Sequence, residues 1–163
     1  MLLPKILFPV TLFVSLSLHS QKIKDTIIPK PIGHVNDFER IYAPDEIRTL
    51  DSTIIEFEKR TTIQIAIITI DTLMVNRKNF DGWTLKVMKA WGVGQKEKNN
   101  GILIGISKGY RRIRIQNGYG IVKILSNNET KEIIDKSFIP FFKDGKYFEG
   151  TVNGLKALMK KLE

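Results

Sequence analysis

The stretch GILIGISKGYRRIRIQ, residues 101–116, predicts two strands and the turn between them. Residues 101–106 are apolar at almost every position, which is typical of a strand covered on both faces. Lys108-Gly109-Tyr110 predicts a tight turn, and residues 112–116 alternate polar and apolar side chains. So short a connection favours an antiparallel hairpin. Because alternation indicates one solvent-facing side, the second strand is expected either toward the edge of a sheet or under partial cover.

A further buried strand is predicted upstream of this hairpin. Residues 63–70, IQIAIITI, are rich in β-branched side chains and apolar at nearly every position. Amphipathic helices are expected on either side of it, from Pro44 to about Arg60 and from about 79 to 90, because apolar residues recur there every three or four positions.

Two more helices are predicted after the hairpin, at about 128–138 and about 146–162. The predicted order is therefore α, β, α, β, β, α, α, which favours an α/β fold with a mixed sheet packed between helices. The chain has 163 residues, of which 42% are hydrophobic, and no cysteine. Its core must therefore hold it together without disulfides.

The first 20 residues have the pattern of a secretory signal peptide. Lys5 precedes an apolar stretch of about 13 residues, shorter than the roughly 20 that a membrane-spanning helix needs. Ser20 offers a small residue at the cleavage point, and an uncleaved N-terminal anchor is the alternative. Cleavage would leave a tether over residues 21–34 and one domain over residues 35–163. We expect that mature chain to be periplasmic or secreted, monomeric and without a transmembrane helix.

Positive charge is the main compositional bias. Lysine and arginine number 26 against 17 acidic residues, a net charge of +9. An excess of this size predicts adhesion to anionic surfaces. No stripe of stacking aromatic residues accompanies the charge, so specific nucleic-acid binding is not expected. Arg111, Arg112 and Arg114 place positive charge on the hairpin, either as a solvated strand face or as an anion-binding site.

Two acidic residues lie at positions suited to metal binding or catalysis. Asp37 precedes the first helix and could be a metal ligand, a general acid or base, or a carboxylate that caps a turn. Asp71 follows the strand 63–70, at the strand end where open α/β sheets often bind ligands, and it could equally cap a turn. The loop 91–101, with its glycines, could wrap an anion with backbone N–H groups, while Trp91 is expected to bury its ring.

The sequence lacks the residues that several other kinds of catalytic or binding site require. The chain has no cysteine, His19 lies in the predicted signal and His34 in the predicted tether, so neither a histidine-based triad nor a zinc site is expected. The glycines of the loop 91–101 do not form a phosphate-binding loop motif.

Several short motifs follow one another at characteristic separations. They are Val35-Asn36-Asp37, Thr61-Thr62-Ile63-Gln64, Trp91-Gly92-Val93-Gly94, Asn100-Gly101-Ile102-Leu103, Arg111-Arg112-Ile113-Arg114-Ile115, Gly118-Tyr119-Gly120 and the run from Pro140 to Tyr147. Together they resemble the TPM domain family, also called TPM phosphatase, over about residues 35–162.

The resemblance implies an αβα sandwich with a mixed sheet of roughly four strands, displayed outside the cytoplasm. Some members are described as acid phosphatases, and calcium has been associated with the fold. By resemblance, Asp37, Asp71 and Asn100 would hold Ca²⁺ or Mg²⁺, Asp37 would serve in catalysis, and Arg111 or Arg112 would orient a phosphate.

The sequence departs from the family at its acids. Positions where relatives carry Asp or Glu hold other residues here, namely Asn99, Gln116, Val122, Asn127 or Asn128, and Lys146. Calcium and magnesium need several hard oxygen ligands, so these losses weaken a metal site. Two functions stay open: an envelope module that holds an anionic or phosphate-containing partner, and a metal-assisted phosphatase.

Overall fold

The computed structural model of the protein describes Asp25 and residues 27–163, so the predicted signal peptide lies outside the described residues. These residues form a mixed sheet with helices on both faces, which confirms the predicted α/β sandwich. The elements are β1 Val35–Asp37, α1 Pro44–Thr61, β2 Gln64–Thr69, a 3₁₀ turn Arg77–Asn79, α2 Phe80–Trp91, β3 Gly101–Ser107, β4 Arg112–Asn117, α3 Tyr119–Val122, α4 Asn127–Ile133, a π-helical turn Ile134–Phe138, α5 Ile139–Lys143 and α6 Tyr147–Leu162.

Within the described residues the sheet has four strands, in the order β1-β2-β3-β4. The first three run parallel, and Ile67 pairs with Val35 on one side and with Ile104 on the other. β4 is antiparallel to β3, which confirms the predicted hairpin and its place at the edge. Sequence reasoning did not identify β1 as a strand, because three residues are too few to show a periodic pattern.

Alternate side chains of the central strands pack into two apolar layers. Ile65 and Ile67 of β2 face α1 and the C-terminal helices, whereas Ala66 and Ile68 face α2. Both layers are closed to solvent, which explains why β2 reads as continuously apolar.

Helix α2 approaches the sheet closely over Gly105 of β3. A Cβ at this position would lie 2.6 Å from the Thr84 Cγ2 methyl. Thr84 is fully buried, and its hydroxyl donates to the Asp81 carbonyl at 2.9 Å and accepts from Gln116 Nε2 at 2.9 Å. These hydrogen bonds hold the threonine rotamer, so the methyl has little freedom to yield.

The helix predicted at 128–138 begins at Asn127 and continues to Lys143 through the π-helical turn. Pro140 accounts for the turn, because its ring lacks an N–H and clashes with the carbonyl four residues earlier unless the helix widens. Phe138, fully buried, packs on α6 where Gly154 leaves room, since a Cβ at Gly154 would lie 2.0 Å from the phenyl ring.

The described part of the segment predicted as a tether contacts the domain. Trp91 Nε1 donates to the Pro29 carbonyl at 2.7 Å, and Ile28 packs in the layer beside α2. The Asp25 carboxylate accepts the Asn76 N–H at 2.8 Å, just before α2. Trp91 is half-buried rather than enclosed, because its indole edge binds this segment. In the described part of the chain, no helix combines the length and the apolar character needed to cross a membrane.

Substituting Gly105 tests the close approach of α2. We expect Gly105→Ala to lower the free energy of unfolding by about 1–3 kcal/mol, because the new methyl must displace Thr84. Gly82→Ala, on α2 itself, is the matched control. Nothing lies within 4 Å of its Cβ position, so helix propensity should raise the free energy of unfolding by up to about 1 kcal/mol. Urea denaturation measures both, and equal effects would contradict the packing of α2 described above.

Candidate functional site

Most of the residues predicted for a site lie at one edge of the sheet, the one formed by the carboxyl ends of its parallel strands. Because β1, β2 and β3 are parallel, their carboxyl ends meet at this edge, where Asp37 pairs in register with Thr69. Asp71 follows β2, and the β3–β4 turn carries Arg111 to the same edge. Asn100 precedes β3 and therefore lies at the opposite edge, roughly 20 Å away along the strands. An ion bound by Asp37 cannot also contact Asn100.

A basic cleft of about 530 Å³ opens at this carboxyl edge. It lies between the β3–β4 turn and the helical hairpin of α5 and α6. The described residues that line it are Ser107, Lys108, Arg111, Arg112, Ile139, Phe142, Lys143, Gly145 and Tyr147. Four of these side chains are cationic and none is a carboxylate, so the cleft attracts anions.

An aromatic wall forms one side of this basic cleft. The rings of Phe142 and Tyr147 stack with centroids 4.8 Å apart and an angle of 30° between their planes. The Lys108 ammonium lies 6.0 Å from the Tyr147 ring centroid, within reach of a cation–π contact. Gly145, with φ of 76°, turns the chain between α5 and α6, and Gly150 lets Phe142 approach, since its Cβ would lie 2.7 Å from the phenyl ring.

Burial and neighbouring charges set the pKa of the Tyr147 phenol in this wall. Partial burial raises the pKa of the Tyr147 phenol, the negative charge of Glu39 raises it further, and Arg111 opposes both. The phenol therefore stays neutral near pH 7 and can donate a hydrogen bond into the cleft. Tyr42, fixed by a 2.8 Å hydrogen bond to Thr151 of α6, has its pKa raised mainly by burial.

The β3–β4 turn is held by a carboxylate of the protein itself. Glu39 accepts the backbone N–H groups of Lys108 and Gly109, each at 2.7 Å. Tyr110 anchors the turn on its other side, with its hydroxyl 2.8 Å from the Val75 carbonyl oxygen. Arg111 adopts a left-handed conformation with φ of 49° and is exposed. The turn amides are therefore occupied, and anion attraction in the cleft rests on side chains.

The two predicted arginines differ in their freedom. Arg111 is exposed at the mouth of the cleft. Arg112 borders the cleft, but its guanidinium lies against α2, 3.0 Å from Asp81 Oδ1 and 5.4 Å from the Phe80 ring centroid. Of the two, Arg111 is therefore the better placed to meet a ligand. Sequence reasoning did not select Lys143 and Tyr147 as site residues, although both stand in the Pro140–Tyr147 motif.

The Asp37 carboxylate accepts three hydrogen bonds within the chain. Oδ1 accepts from the Thr69 hydroxyl at 2.6 Å and from the Ile41 N–H at 3.1 Å, and Oδ2 accepts from the Tyr42 N–H at 2.9 Å. Asp37 thereby ties the end of β1 to β2 and closes the turn that leads into α1. A metal ion would have to compete with these donors.

Asp71 and Asn100 are also engaged in local structure. Asp71 Oδ1 accepts the Leu73 N–H at 2.7 Å, which is an Asx turn. Asn100 is buried, accepts the Gln95 N–H at 2.8 Å and donates to the Thr62 carbonyl at 2.7 Å. Across Asp25 and residues 27–163, no group of three or more acids or histidines is arranged to hold a metal. The predicted ligands Asp37, Asp71 and Asn100 therefore cannot surround one ion together, because Asn100 lies at the opposite edge from the other two.

The loop 91–101 and His34 also have structural partners. Gly94 N–H donates to Gln64 Oε1 at 2.8 Å, and Gly101 lies so close to the loop that a Cβ would meet the Val93 carbonyl oxygen at 2.0 Å. The His34 ring lies 3.1 Å from Glu58 Oε2. His34 is thus packed on the domain, at the amino end of β1 and away from the basic cleft.

The role of Asp37 can be tested without metal. Asp37→Asn places an NH₂ group or a weaker acceptor against three donors, so we expect the free energy of unfolding to fall by about 2 kcal/mol in the presence of a chelator. Asp71→Asn is the matched control and should cost less than about 0.5 kcal/mol, because asparagine makes the same Asx turn. Denaturant unfolding reports both; an Asp37→Asn effect that appears only with added calcium would identify a ligand instead.

Solved structures similar to this chain include three bacterial proteins. The N-terminal domain of a P. gingivalis protein is 26% identical with a TM-score of 0.72, covering 79% of this chain and 81% of that one. The N-terminal domain of the Corynebacterium glutamicum cg2496 protein is 12% identical with a TM-score of 0.61, covering 85% and 89%. A protein of the psychrophilic bacterium Bizionia argentinensis is 19% identical with a TM-score of 0.63, covering 77% and 83%. The last two likenesses concern the fold alone.

Among curated proteins, none is similar enough in sequence to count as a relative of this chain. The family model described as the TPM domain matches residues 35–161, which include all four strands of the sheet described above. On this match, the chain belongs to the TPM domain family.

Proposed function

We propose that this TPM domain is a monomeric, non-catalytic binding module of the cell envelope. Its basic cleft would hold an anionic, phosphate-containing group of the partner. The observation that supports this most directly is the cleft itself, in which four cationic residues border about 530 Å³ without a lining carboxylate. Export is expected from the signal-like residues 1–20 and would give the module access to envelope components.

The arrangement of the cleft suits a ligand with a charged end and an apolar body. Arg111 and Lys143 can approach a phosphate from opposite walls, since one stands on the β3–β4 turn and the other at the end of α5. The stacked rings of Phe142 and Tyr147 offer an apolar face beside them. The negative charge of Glu39 contributes to the raised pKa of Tyr147, so it would oppose an anion bound against that ring.

Phosphatase activity is the alternative that the family resemblance keeps open. It is supported by the location of Asp37 and Asp71 at the same edge as Arg111. Against it, the Asp37 oxygens accept three internal hydrogen bonds and Asp71 closes a turn. Both carboxylates therefore have a role in local structure that needs no catalysis to explain it, and we favour binding over hydrolysis.

Anion titration tests the proposed cleft. We expect inorganic phosphate and glycerol phosphate to bind, and Arg111→Gln combined with Lys143→Gln to weaken both roughly tenfold, equivalent to ~1.4 kcal/mol. Lys156→Gln, an exposed charge change on α6, is the control and should leave affinity unchanged. Calorimetry at two salt concentrations should show weaker binding at the higher one. Equal losses in the control and in the cleft variant would indicate nonspecific charge attraction.

Hydrolysis of para-nitrophenyl phosphate tests the alternative. We expect no turnover above background at acid or neutral pH, with calcium, with magnesium or with a chelator, because the edge acids are engaged in hydrogen bonds. A chelator-sensitive turnover that Asp37→Ala abolishes, in a variant that remains folded by circular dichroism, would establish the phosphatase and refute the non-catalytic module.

A further inference from the structure

A second surface lies at the opposite edge of the sheet from the basic cleft. Asn117 pairs with Ile102 at the beginning of β3, and α3 follows directly. Three side chains here are exposed despite being large and apolar or aromatic: Tyr119 at 84%, Val122 at 38% and Ile124 at 56%. We call them the apolar edge patch. Single exposed apolar residues are ordinary, but three within six residues are a local concentration that requires an explanation.

The backbone around the apolar edge patch prevents these side chains from turning inward. Ile121 and Leu125 are fully buried and anchor the segment in the core. Gly118 and Gly120 press against the loop before β3, since a Cβ at either would lie 2.2 Å from a carbonyl oxygen of that loop. With its inner positions filled in this way, the segment must present Tyr119 and its two companions to solvent.

Positive charge borders the apolar edge patch. Lys123 is exposed between Val122 and Ile124, and residues 117–128 contain no acid. Ile124 also shares an open groove of about 770 Å³ with Lys98 and Arg60. Acids are also present: Glu97 precedes Lys98 in the chain, and the Glu163 carboxylate pairs with Arg60 at 2.7 Å. Among the described residues Lys98 and Lys123 form no ion pair, so two unpaired lysines border the patch.

We infer that the apolar edge patch docks on the interface of an anionic phospholipid membrane. A tyrosine, two aliphatic side chains and flanking lysines together favour the boundary between headgroups and acyl chains. There the apolar side chains can contact the acyl chains while the tyrosine hydroxyl and the lysine ammonium groups remain among the headgroups. The positive surroundings match the charge of anionic headgroups. Three side chains on so short an element form too small a surface for a stable protein partner, which usually covers about 800 Å² on each side.

This inference is independent of the basic cleft, because the two surfaces lie at opposite edges of the sheet. Docking through the patch leaves the cleft open to a second ligand. The experiments can therefore separate them, since variants of one surface leave the other intact.

The absence of cysteine from the sequence permits a site-specific test in the full chain. A single cysteine introduced by Val122→Cys is labelled with an environment-sensitive fluorophore, and Leu85→Cys on α2 is the matched control because Leu85 has nearly the same exposure, 40% against 38%. Each labelled chain is mixed with vesicles of equal parts phosphatidylglycerol and phosphatidylcholine, and with phosphatidylcholine alone. The label reports on its own surroundings, whichever other part of the chain meets the vesicle.

We expect the emission of the label at 122 to shift to shorter wavelength with the anionic vesicles and to be quenched by lipids carrying a nitroxide on the acyl chain. The label at 85 should show neither effect. Added salt should reduce the shift at 122. Tyr119→Ser combined with Ile124→Ser should abolish it, with circular dichroism confirming that this double variant remains folded.

Three results would overturn the inference. One is the absence of a shift at 122 with anionic vesicles. Another is a shift that survives the double serine variant but is lost with Arg111→Gln and Lys143→Gln, which would assign headgroup binding to the basic cleft. The third is concentration-dependent dimerisation in sedimentation that the double serine variant prevents, which would make the apolar edge patch an interface between copies of the chain.

Discussion

The parallel pairing of β2 with β3 is the constraint on which the rest of the structure depends. It runs from Gln64 opposite Gly101 to Thr69 opposite Ile106, and its alternate residues fill both apolar layers. Parallel strands buried on both faces need helices on each side, and connections long enough to return to the starting edge. Helices α1 and α2 serve as the cover, and their connections bring the carboxyl ends of β1, β2 and β3 to one edge.

At that edge, acidic side chains hold the local structure together, whereas basic side chains lie on the surface. Asp37 and Glu39 direct their carboxylates at backbone N–H groups, and Asp37 also at the Thr69 hydroxyl. A carboxylate engaged in this way stabilises a turn through charge-assisted hydrogen bonds. Arg111 and Lys143 line the cleft from a turn and a helix end, where both side chains are exposed. The lining of the cleft is therefore cationic, although Asp37 and Glu39 lie at the same edge.

Close packing of the C-terminal helices sets the shape of the cleft. Pro140 widens the preceding helix into a π-helical turn, after which Ile139, Phe142 and Lys143 lie along the cleft. Gly150 and Gly154 of α6 allow the rings of Phe142 and Phe138 to approach its backbone. Interiors packed at this density transmit small displacements, so the aromatic wall depends on two glycines that are not among the residues lining the cleft.

The sequence by itself determined the fold class, the hairpin and the family, because periodic apolar patterns and turn residues report directly on local structure and burial. It also established the basic character of the chain, and it singled out Arg111 as a candidate before its place beside the cleft was known. It could not show that Asp37 and Asn100 lie at opposite edges, because that depends on the direction in which their strands pair. Nor could it indicate that the Asp37 oxygens would accept Thr69 and turn N–H groups, or that Lys143 and Tyr147 would face Arg111. Those outcomes depend on contacts between residues far apart in the chain, and only the tertiary structure decided them.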